Sequence, residues 1–128
     1  MAHAIADIGT SDYAVALVAG SHPLTADEGP ARGGKDLGPT PHELVCAGLA
    51  ACTAITLRMY AERKNWPLSS VHVDVDLTIE GTQRLITRRL RLAGALDQSQ
   101  RARLADIAER TPVTLTLKQG ATISTILE

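Results

Sequence analysis

Two cysteines lie within one apolar segment and are the residues of this chain best suited to covalent chemistry. Cys52 stands in the run Leu49-Ala50-Ala51-Cys52-Thr53, six residues after Cys46. On a regular helix that spacing gives about 9 Å along the axis and about 120° of rotation, which is too far for a disulfide. Cys52 is therefore either a small core residue or a single reactive thiol, and the sequence allows both interpretations.

His42 precedes Cys46 by four residues and would share its helix face, a spacing that suits a metal site or a thiolate–imidazole pair. A metal site needs further ligands, and none of the other histidines has a matching spacing: they are His3, His22 and His72. We therefore predict neither a metal nor a cofactor. On one helix His42 would lie about 15 Å from Cys52, so it cannot activate that thiol directly.

Composition limits the partners of the chain. Its 128 residues suit one domain, and the formal net charge of -1, with 2% aromatic residues and no Phe, argues against nucleic acid. The longest apolar stretch, residues 44–57, is shorter than the roughly 20 residues of a membrane span, and no secretory signal is visible. We expect no membrane partner and a cytoplasmic location.

The clearest local signal is the start of a long helix that would carry both cysteines. Thr40-Pro41-His42-Glu43 forms a capping box with proline at the first helical position, and Asn65-Trp66-Pro67 ends a helix that should run to about Arg63. Residues 44–57 are apolar or small on nearly every side, which is typical of a helix buried all round. We expect sheet or a partner subunit to enclose it.

A β-hairpin is predicted by two segments of alternating or β-branched residues, 71–80 and 85–92. Opposite charges across the strands favour a register with two pairs, Asp76–Arg89 and Asp74–Arg91. This register leaves Arg88 on the inward face, so the arginine either lies at a bulge or has a functional role.

Two further helix starts follow the hairpin. Asp97 and Gln100 form a capping box, and Thr111-Pro112 repeats the cap-plus-proline signature. Residues 113–117 favour helix and strand alike.

These elements predict an α+β chain in a single domain, residues 1–128. Strands are expected before the long helix and at the end of the chain, in the ranges 4–8, 13–18, 22–25 and 121–127. The first two should pair as a hairpin, and the Gly- and Pro-rich residues 27–41 should form a surface loop.

Two groups of residues resemble motifs of a known family. Gly34-Lys35-Asp36 and Pro39-Thr40-Pro41-His42-Glu43-Leu44, followed by Ala50-Ala51-Cys52-Thr53, resemble the central helix of the OsmC/Ohr family. That family comprises osmotically inducible proteins and organic hydroperoxide resistance proteins. Residues 104–113 are similar to its second motif. The resemblance implies an OsmC-like fold in which sheets from both subunits of an intertwined homodimer enclose the central helices.

The resemblance also implies thiol-dependent reduction of peroxides, with Cys52 as the attacking thiolate. The family has a resolving cysteine where this chain has Thr111, and its hydroperoxide reductases have a glutamate where this chain has His42. That glutamate orients an activating arginine from the N-terminal strands. This chain has no arginine before Arg32, which with Arg88 is a candidate replacement.

We therefore expect a homodimer in which Cys52 reduces organic or hydrogen peroxides in an aliphatic pocket by a one-cysteine route. An external thiol would be the reductant. Five residues are candidates for supporting roles: His42, Glu43, Arg32, Arg88 and Thr111. The alternative is a non-catalytic dimer of the same fold that binds a small apolar ligand.

Overall fold

The structure is a computed structural model that describes all 128 residues. The strands are β1 (Ala4–Asp7), β2 (Val15–Ala19), β3 (His22–Ala26), β4 (Leu68–Glu80) and β5 (Gln83–Gly94). The helices are α1 (Pro41–Lys64), α2 (Gln98–Ala108) and α3 (Pro112–Gln119). The chain forms two compact units, Met1–Val45 and Cys46–Glu128. The predicted α+β composition is confirmed.

The first unit contains a three-stranded antiparallel sheet in the order β1-β2-β3. Ile5 of β1 faces Val18 of β2, so the predicted pairing of the first two segments is confirmed. The turn from β2 to β3 has two residues, and its Gly20 has a φ of +62°. Glycine adopts this left-handed conformation without a steric penalty, which permits so short a turn.

Asp27, in the loop after β3, is a buried carboxylate that the sequence patterns do not reveal. It is only 2% exposed, and its oxygens accept backbone N–H groups of Glu28, Lys35 and Leu37 at 2.7, 3.2 and 3.2 Å. Burial raises the pKa of this carboxyl, but the three N–H groups and the charge of Lys35 outweigh it, so the pKa is lowered. The loop is therefore organised around one negative charge.

The predicted capping box at the start of α1 is confirmed. Thr40 Oγ1 accepts the Glu43 N–H at 3.2 Å, and Glu43 Oε1 accepts the Thr40 N–H at 2.9 Å. The helix ends at Lys64, before Asn65 in a left-handed conformation with a φ of +57°. The predicted end of the helix is therefore correct to within one residue.

Only one face of α1 is buried within the chain. Its buried residues recur every four positions and are Leu49, Thr53, Leu57 and Ala61. Ile55 and Met59, on other sides of the helix, are 54% and 57% exposed. The prediction of a helix buried all round is wrong for a single chain, because the elements of this chain cover one side of α1 only.

By length and composition alone, α1 would be able to cross a membrane, because its 24 residues are apolar enough on average. The helix is longer than the apolar stretch at residues 44–57. Core helices of soluble proteins have the same properties. Leu57 and Ala61 of α1 form a buried cluster with Leu104 and Ala108 of α2. We therefore interpret α1 as the core helix of a soluble domain.

The second unit is built on the predicted hairpin of β4 and β5, but the predicted register is wrong by two residues. Asp74 faces Arg89, and Asp76 faces Thr87. The reason is the turn, which contains only Gly81 and Thr82 and thereby brings the strands into register two residues earlier. Gly81 has a φ of +62°, which a two-residue turn of this kind requires.

A shift of two residues leaves every side chain on its predicted face. Arg88 accordingly lies on the inward face, opposite Val75, in a regular part of the ladder. Asp76 and Arg89 still form an ion pair at 2.8 Å, as diagonal rather than direct neighbours on the outer face. The inward orientation of Arg88 is thus confirmed, and a bulge is not its cause.

The core of the second unit is small and aliphatic, and consists of Leu57, Ala61, Leu68, Leu104 and Ala108. Burial of a leucine side chain contributes about 1.5–3 kcal/mol, so these few contacts are the main force holding α1 and α2 to the hairpin. Arg58 adds a hydrogen bond from its guanidinium to the Leu68 carbonyl oxygen.

Both helix starts predicted after the hairpin are confirmed. Asp97 Oδ1 accepts the Gln100 N–H at 2.7 Å, and the Gln100 side chain accepts the Asp97 N–H at 3.0 Å. Thr111 caps α3 by accepting the Thr114 N–H at 3.3 Å. Residues 113–117 are helical, because this cap and the proline that follows it favour a helix start.

The predicted strand at residues 121–127 is wrong. These residues have no regular secondary structure, and Ile123, Ile126 and Leu127 are 85% to 97% exposed. A strand needs a neighbouring edge to accept and donate its backbone hydrogen bonds, and no strand of this chain pairs with the segment.

The lowered pKa of Asp27 predicts a pH-dependent contribution to stability. Because the folded-state pKa lies below the unfolded value of about 3.9, the contribution is present above that value and lost as the pH falls through the folded pKa. We expect Asp27→Asn to lower the melting temperature at neutral pH, with a difference from wild type that narrows in acid. Thermal melts followed by circular dichroism over a pH series measure this difference.

The matched control is Asp7→Asn, which changes an exposed carboxylate of β1 in the same unit. It should leave the melting temperature close to that of the wild type. A loss of stability for Asp27→Asn that stays constant at every pH would contradict the prediction.

Candidate active site

Cys52 is half-buried in the middle of α1, and its sulfur faces the beginning of α3. The backbone N–H of Val113 donates a hydrogen bond to Cys52 Sγ at 3.5 Å. Val113 is the second residue of α3, where N–H groups have no partner within the helix. Such groups carry the positive end of the helix dipole and can stabilise a thiolate.

Arg88 reaches from β5 to the same two segments. Its Nη1 donates to Thr53 Oγ1 at 3.0 Å and to Thr114 Oγ1 at 2.9 Å, and its side chain is 11% exposed. Thr53 follows Cys52 in the sequence, and Thr114 follows Val113. The guanidinium therefore joins α1 and α3 through Thr53 and Thr114. The sulfur contact joins the same two helices through the preceding residue of each, Cys52 and Val113.

Glu109, just after α2, balances the charge of Arg88. Its Oε2 accepts from Arg88 Nη2 at 3.0 Å, while its Oε1 pairs with Lys118 Nζ at 3.1 Å. The hydrogen bond from Lys118 is the main cause that lowers the pKa of the Glu109 carboxyl, and Arg88 adds to it against the opposing effect of burial. Glu109 thus stays ionised and holds Arg88 in place.

The hydroxyl groups around Arg88 are all satisfied. Thr53 Oγ1 donates to the Leu49 carbonyl oxygen at 2.7 Å, and Thr114 Oγ1 donates to the Ala108 carbonyl oxygen at 3.2 Å. Thr111 Oγ1 lies 2.6 Å from Thr114 Oγ1 and is fully buried. Because each hydroxyl donates its one hydrogen to a carbonyl, the oxygens of Thr53 and Thr114 act as acceptors for the Arg88 guanidinium. We call Thr53, Arg88, Glu109 and Thr114 the Arg88 network.

Two of the five supporting residues predicted from the sequence lie at this site. Arg88 belongs to the network, and Thr111 supports it from the cap of α3. The remaining three lie in the first unit. Glu43 closes the capping box of α1, while His42 and Arg32 are exposed. Their functional roles remain predictions.

Cys46 and Cys52 are both free, in agreement with the helix spacing that excludes a disulfide between them. The members of the site that the sequence patterns miss are the Val113 N–H, Thr53, Thr114 and Glu109. Thr114 has a local signal, since it stands at the third position after the cap. Glu109 has none, because its pairing with Arg88 joins residues 21 positions apart.

The class of this protein follows from a family comparison. The sequence profile of the OsmC-like protein family matches residues 33–126, well over half of the chain. The chain therefore belongs to the OsmC-like protein family. No curated protein is significantly similar in sequence to this chain.

Solved structures share the fold over nearly the whole chain. An OsmC-like protein from Mycoplasma pneumoniae is 20% identical with a TM-score of 0.79, covering 94% of this chain and 88% of its own. An organic hydroperoxide resistance protein OsmC from Legionella pneumophila is 21% identical with a TM-score of 0.68, covering 92% and 89%. The organic hydroperoxide resistance protein OhrB of Bacillus subtilis is 21% identical with a TM-score of 0.65, covering 94% and 92%. The predicted OsmC-like fold is confirmed.

If the Val113 N–H stabilises the Cys52 thiolate, its removal should lower the rate at which Cys52 reacts. Val113→Pro removes the N–H donor but keeps a residue that the first turn of a helix accepts. Because a backbone N–H bonds more strongly to a thiolate than to a thiol, its loss should slow alkylation of Cys52 by iodoacetamide at neutral pH by about tenfold. Mass spectrometry of the alkylated Cys52 peptide over time gives the rate.

Val113→Ala is the matched control, because it shortens the side chain and retains the N–H. It should alkylate Cys52 at nearly the wild-type rate. If the two variants react equally fast, the N–H does not control the thiol. Circular dichroism of both variants checks that α3 stays folded.

Proposed function

We propose that this protein is a thiol peroxidase that reduces organic hydroperoxides through Cys52, by a one-cysteine route. The observation that carries the proposal is the hydrogen bond from the Val113 N–H to Cys52 Sγ at 3.5 Å. It places the positive end of a helix against a half-buried sulfur, the setting in which cysteine acts as a nucleophile. Similarity to proteins named for organic hydroperoxide resistance supports the choice of substrate class.

The reaction begins when the Cys52 thiolate attacks the terminal oxygen of the hydroperoxide, whose O–O bond breaks. The sulfur is oxidised to a sulfenic acid, and the alkoxide leaves as the alcohol after taking up a proton. One molecule of an external thiol then condenses with the sulfenic acid to give a mixed disulfide and water. A second thiol molecule attacks that disulfide, releasing the oxidised reductant and restoring Cys52.

Arg88 supplies the cation in this proposal. The family resemblance implies an arginine from the N-terminal strands, and this chain has none there. Arg88 binds Thr53 and Thr114, the residues that follow Cys52 and Val113 in the sequence, and it is paired with Glu109. Fixed positive charge beside the reacting atoms would stabilise both the thiolate and the departing alkoxide.

The proposal requires an external reductant because residue 111 is a threonine and not a cysteine. In the family a resolving cysteine occupies this position, whereas here a hydroxyl caps α3 and is fully buried. Cys46 does not replace it, because Cys46 stands six positions before Cys52 on the same helix, too far for a disulfide. The sulfenic acid would therefore wait for a thiol from solution, in keeping with a cytoplasmic location where small thiols are reduced.

The assembly that we propose is a homodimer. Ile55 and Met59 leave an apolar side of α1 exposed, and the terminal segment exposes Ile123, Ile126 and Leu127. So much apolar surface on a chain of this size is typical of a protein whose partner covers it.

Substitution of the proposed nucleophile tests the reaction. We expect Cys52→Ser to reduce the consumption of cumene hydroperoxide with dithiothreitol to the rate without protein, since serine cannot form the sulfenic acid. The peroxide is assayed colorimetrically. In the wild type, a dimedone adduct at Cys52 should appear by mass spectrometry after peroxide addition.

Cys46→Ser is the matched control, because it removes the other thiol from the same helix. It should retain the wild-type rate and the adduct at Cys52. Equal rates for Cys52→Ser and wild type would exclude the proposed chemistry.

The second candidate function is a non-catalytic dimer that binds a small ligand. One observation favours it: a cavity of about 320 Å³ in the second unit is bounded by Leu49 and Thr114 but not by Cys52. A wild-type protein that consumes no peroxide, and yet binds a ligand in this cavity, would support this alternative.

Dimer formation is tested separately by sedimentation velocity. The wild type should have the mass of two chains, and Ile55→Glu should shift it toward one chain, because the substitution would bury a charge at the interface. Ile79→Glu, at the exposed end of β4, is the control and should leave the dimer intact. A wild type with the mass of one chain at all concentrations would refute the dimer.

A further inference from the structure

The cavity of about 320 Å³ between β5 and α3 has two kinds of wall. Leu49, Ile86 and Leu117 form an aliphatic part. Arg84, Arg88 and Lys118 line the rest of it together with one carboxylate, that of Glu109. Cys52 does not line this cavity, so it is not the aliphatic pocket expected around that thiol, which stays a prediction.

The charges of the cavity do not balance. Three cations face one carboxylate, which leaves an excess of two positive charges. Arg88 and Lys118 share Glu109 through ion pairs of 3.0 and 3.1 Å. Arg84 makes no ion pair, and its side chain donates only to the Thr82 carbonyl oxygen at 3.3 Å. A planar guanidinium with free N–H groups is suited to a carboxylate.

We propose that this cavity binds a compact organic acid, with its carboxylate at Arg84 and Lys118 and its short apolar body against Leu49, Ile86 and Leu117. The site borders the Arg88 network through Arg88, Glu109 and Thr114, and its test does not require turnover of a peroxide. The proposal makes the second candidate function more specific, because its ligand would be an anion rather than a neutral apolar molecule.

The size of the cavity limits the ligand. About 320 Å³ is at the lower end of the range for small-molecule sites, roughly 300–1,000 Å³. Ile86 and Leu117 are each 39% exposed, so the site is an open pocket, and its aliphatic wall covers a short aliphatic or aromatic body rather than the length of a long acyl chain. Affinity should rise with chain length while new methylene groups are buried and stop rising when the cavity is full.

The test is a titration of the Cys52→Ser variant by isothermal calorimetry, so that peroxidase activity has no bearing on the result. Hexanoate should bind at least tenfold more tightly than hexanamide, which has the same body without the charge. Dodecanoate should bind no more tightly than hexanoate. Equal affinities for hexanoate and hexanamide, or an affinity that keeps rising to dodecanoate, would overturn the proposal.

Substitutions locate the site. Arg84→Gln in the same background should weaken hexanoate binding about tenfold and leave hexanamide binding unchanged. The matched control is Arg91→Gln, which removes an exposed arginine from the outward face of β5. If Arg91→Gln weakens hexanoate as much as Arg84→Gln does, the effect comes from net charge and the cavity is not the site.

Discussion

The buried guanidinium of Arg88 is the constraint on which the geometry of the second unit depends. A cation with a side chain only 11% exposed is tolerated when hydrogen bonds and an opposite charge compensate for lost water. Here Thr53 and Thr114 provide the oxygens and Glu109 provides the charge. These partners lie on three different segments, so satisfying one side chain fixes α1, α3 and the end of α2 around β5.

The position of the sulfur follows from this arrangement. Cys52 precedes Thr53 on α1, and Val113 precedes Thr114 on α3. Because Arg88 binds both threonines, it brings the sulfur and the N–H of α3 to within hydrogen-bonding distance. The small aliphatic core would not do this alone, since aliphatic packing has little directional preference. Polar contacts give the site its geometry, and the core gives the unit its stability.

Local signals in the sequence predicted the elements well and their long-range pairing less well. The capping boxes at Thr40 and Asp97 and the cap at Thr111 are determined within four residues, and all three are present. The face of Arg88 was also predictable, because it depends only on the period of a strand. The register was not, since the two-residue turn outweighed the preference for direct pairs of opposite charge.

The candidate site shows the same division. Cys52 and Arg88 were identifiable from residue type and pattern, whereas the pairing of Arg88 with Glu109 depends on how α2 meets the hairpin. The predicted terminal strand is absent, and α1 is buried on one face only within a single chain, for a related reason. Both predictions follow from apolar character, which indicates that a surface becomes covered but not which chain covers it.

Thr111 affects both the stability of α3 and the source of the reducing thiol. A hydroxyl is a good acceptor for the first N–H groups of α3, whereas a thiol is a weak one, so a cysteine here would leave the start of that helix less firmly held. In the proposed reaction no second cysteine of the chain has to approach Cys52, so α3 can keep one conformation through every turnover. The second unit would then stay rigid during catalysis, and its turnover rate would depend on the concentration of small thiols that diffuse to it.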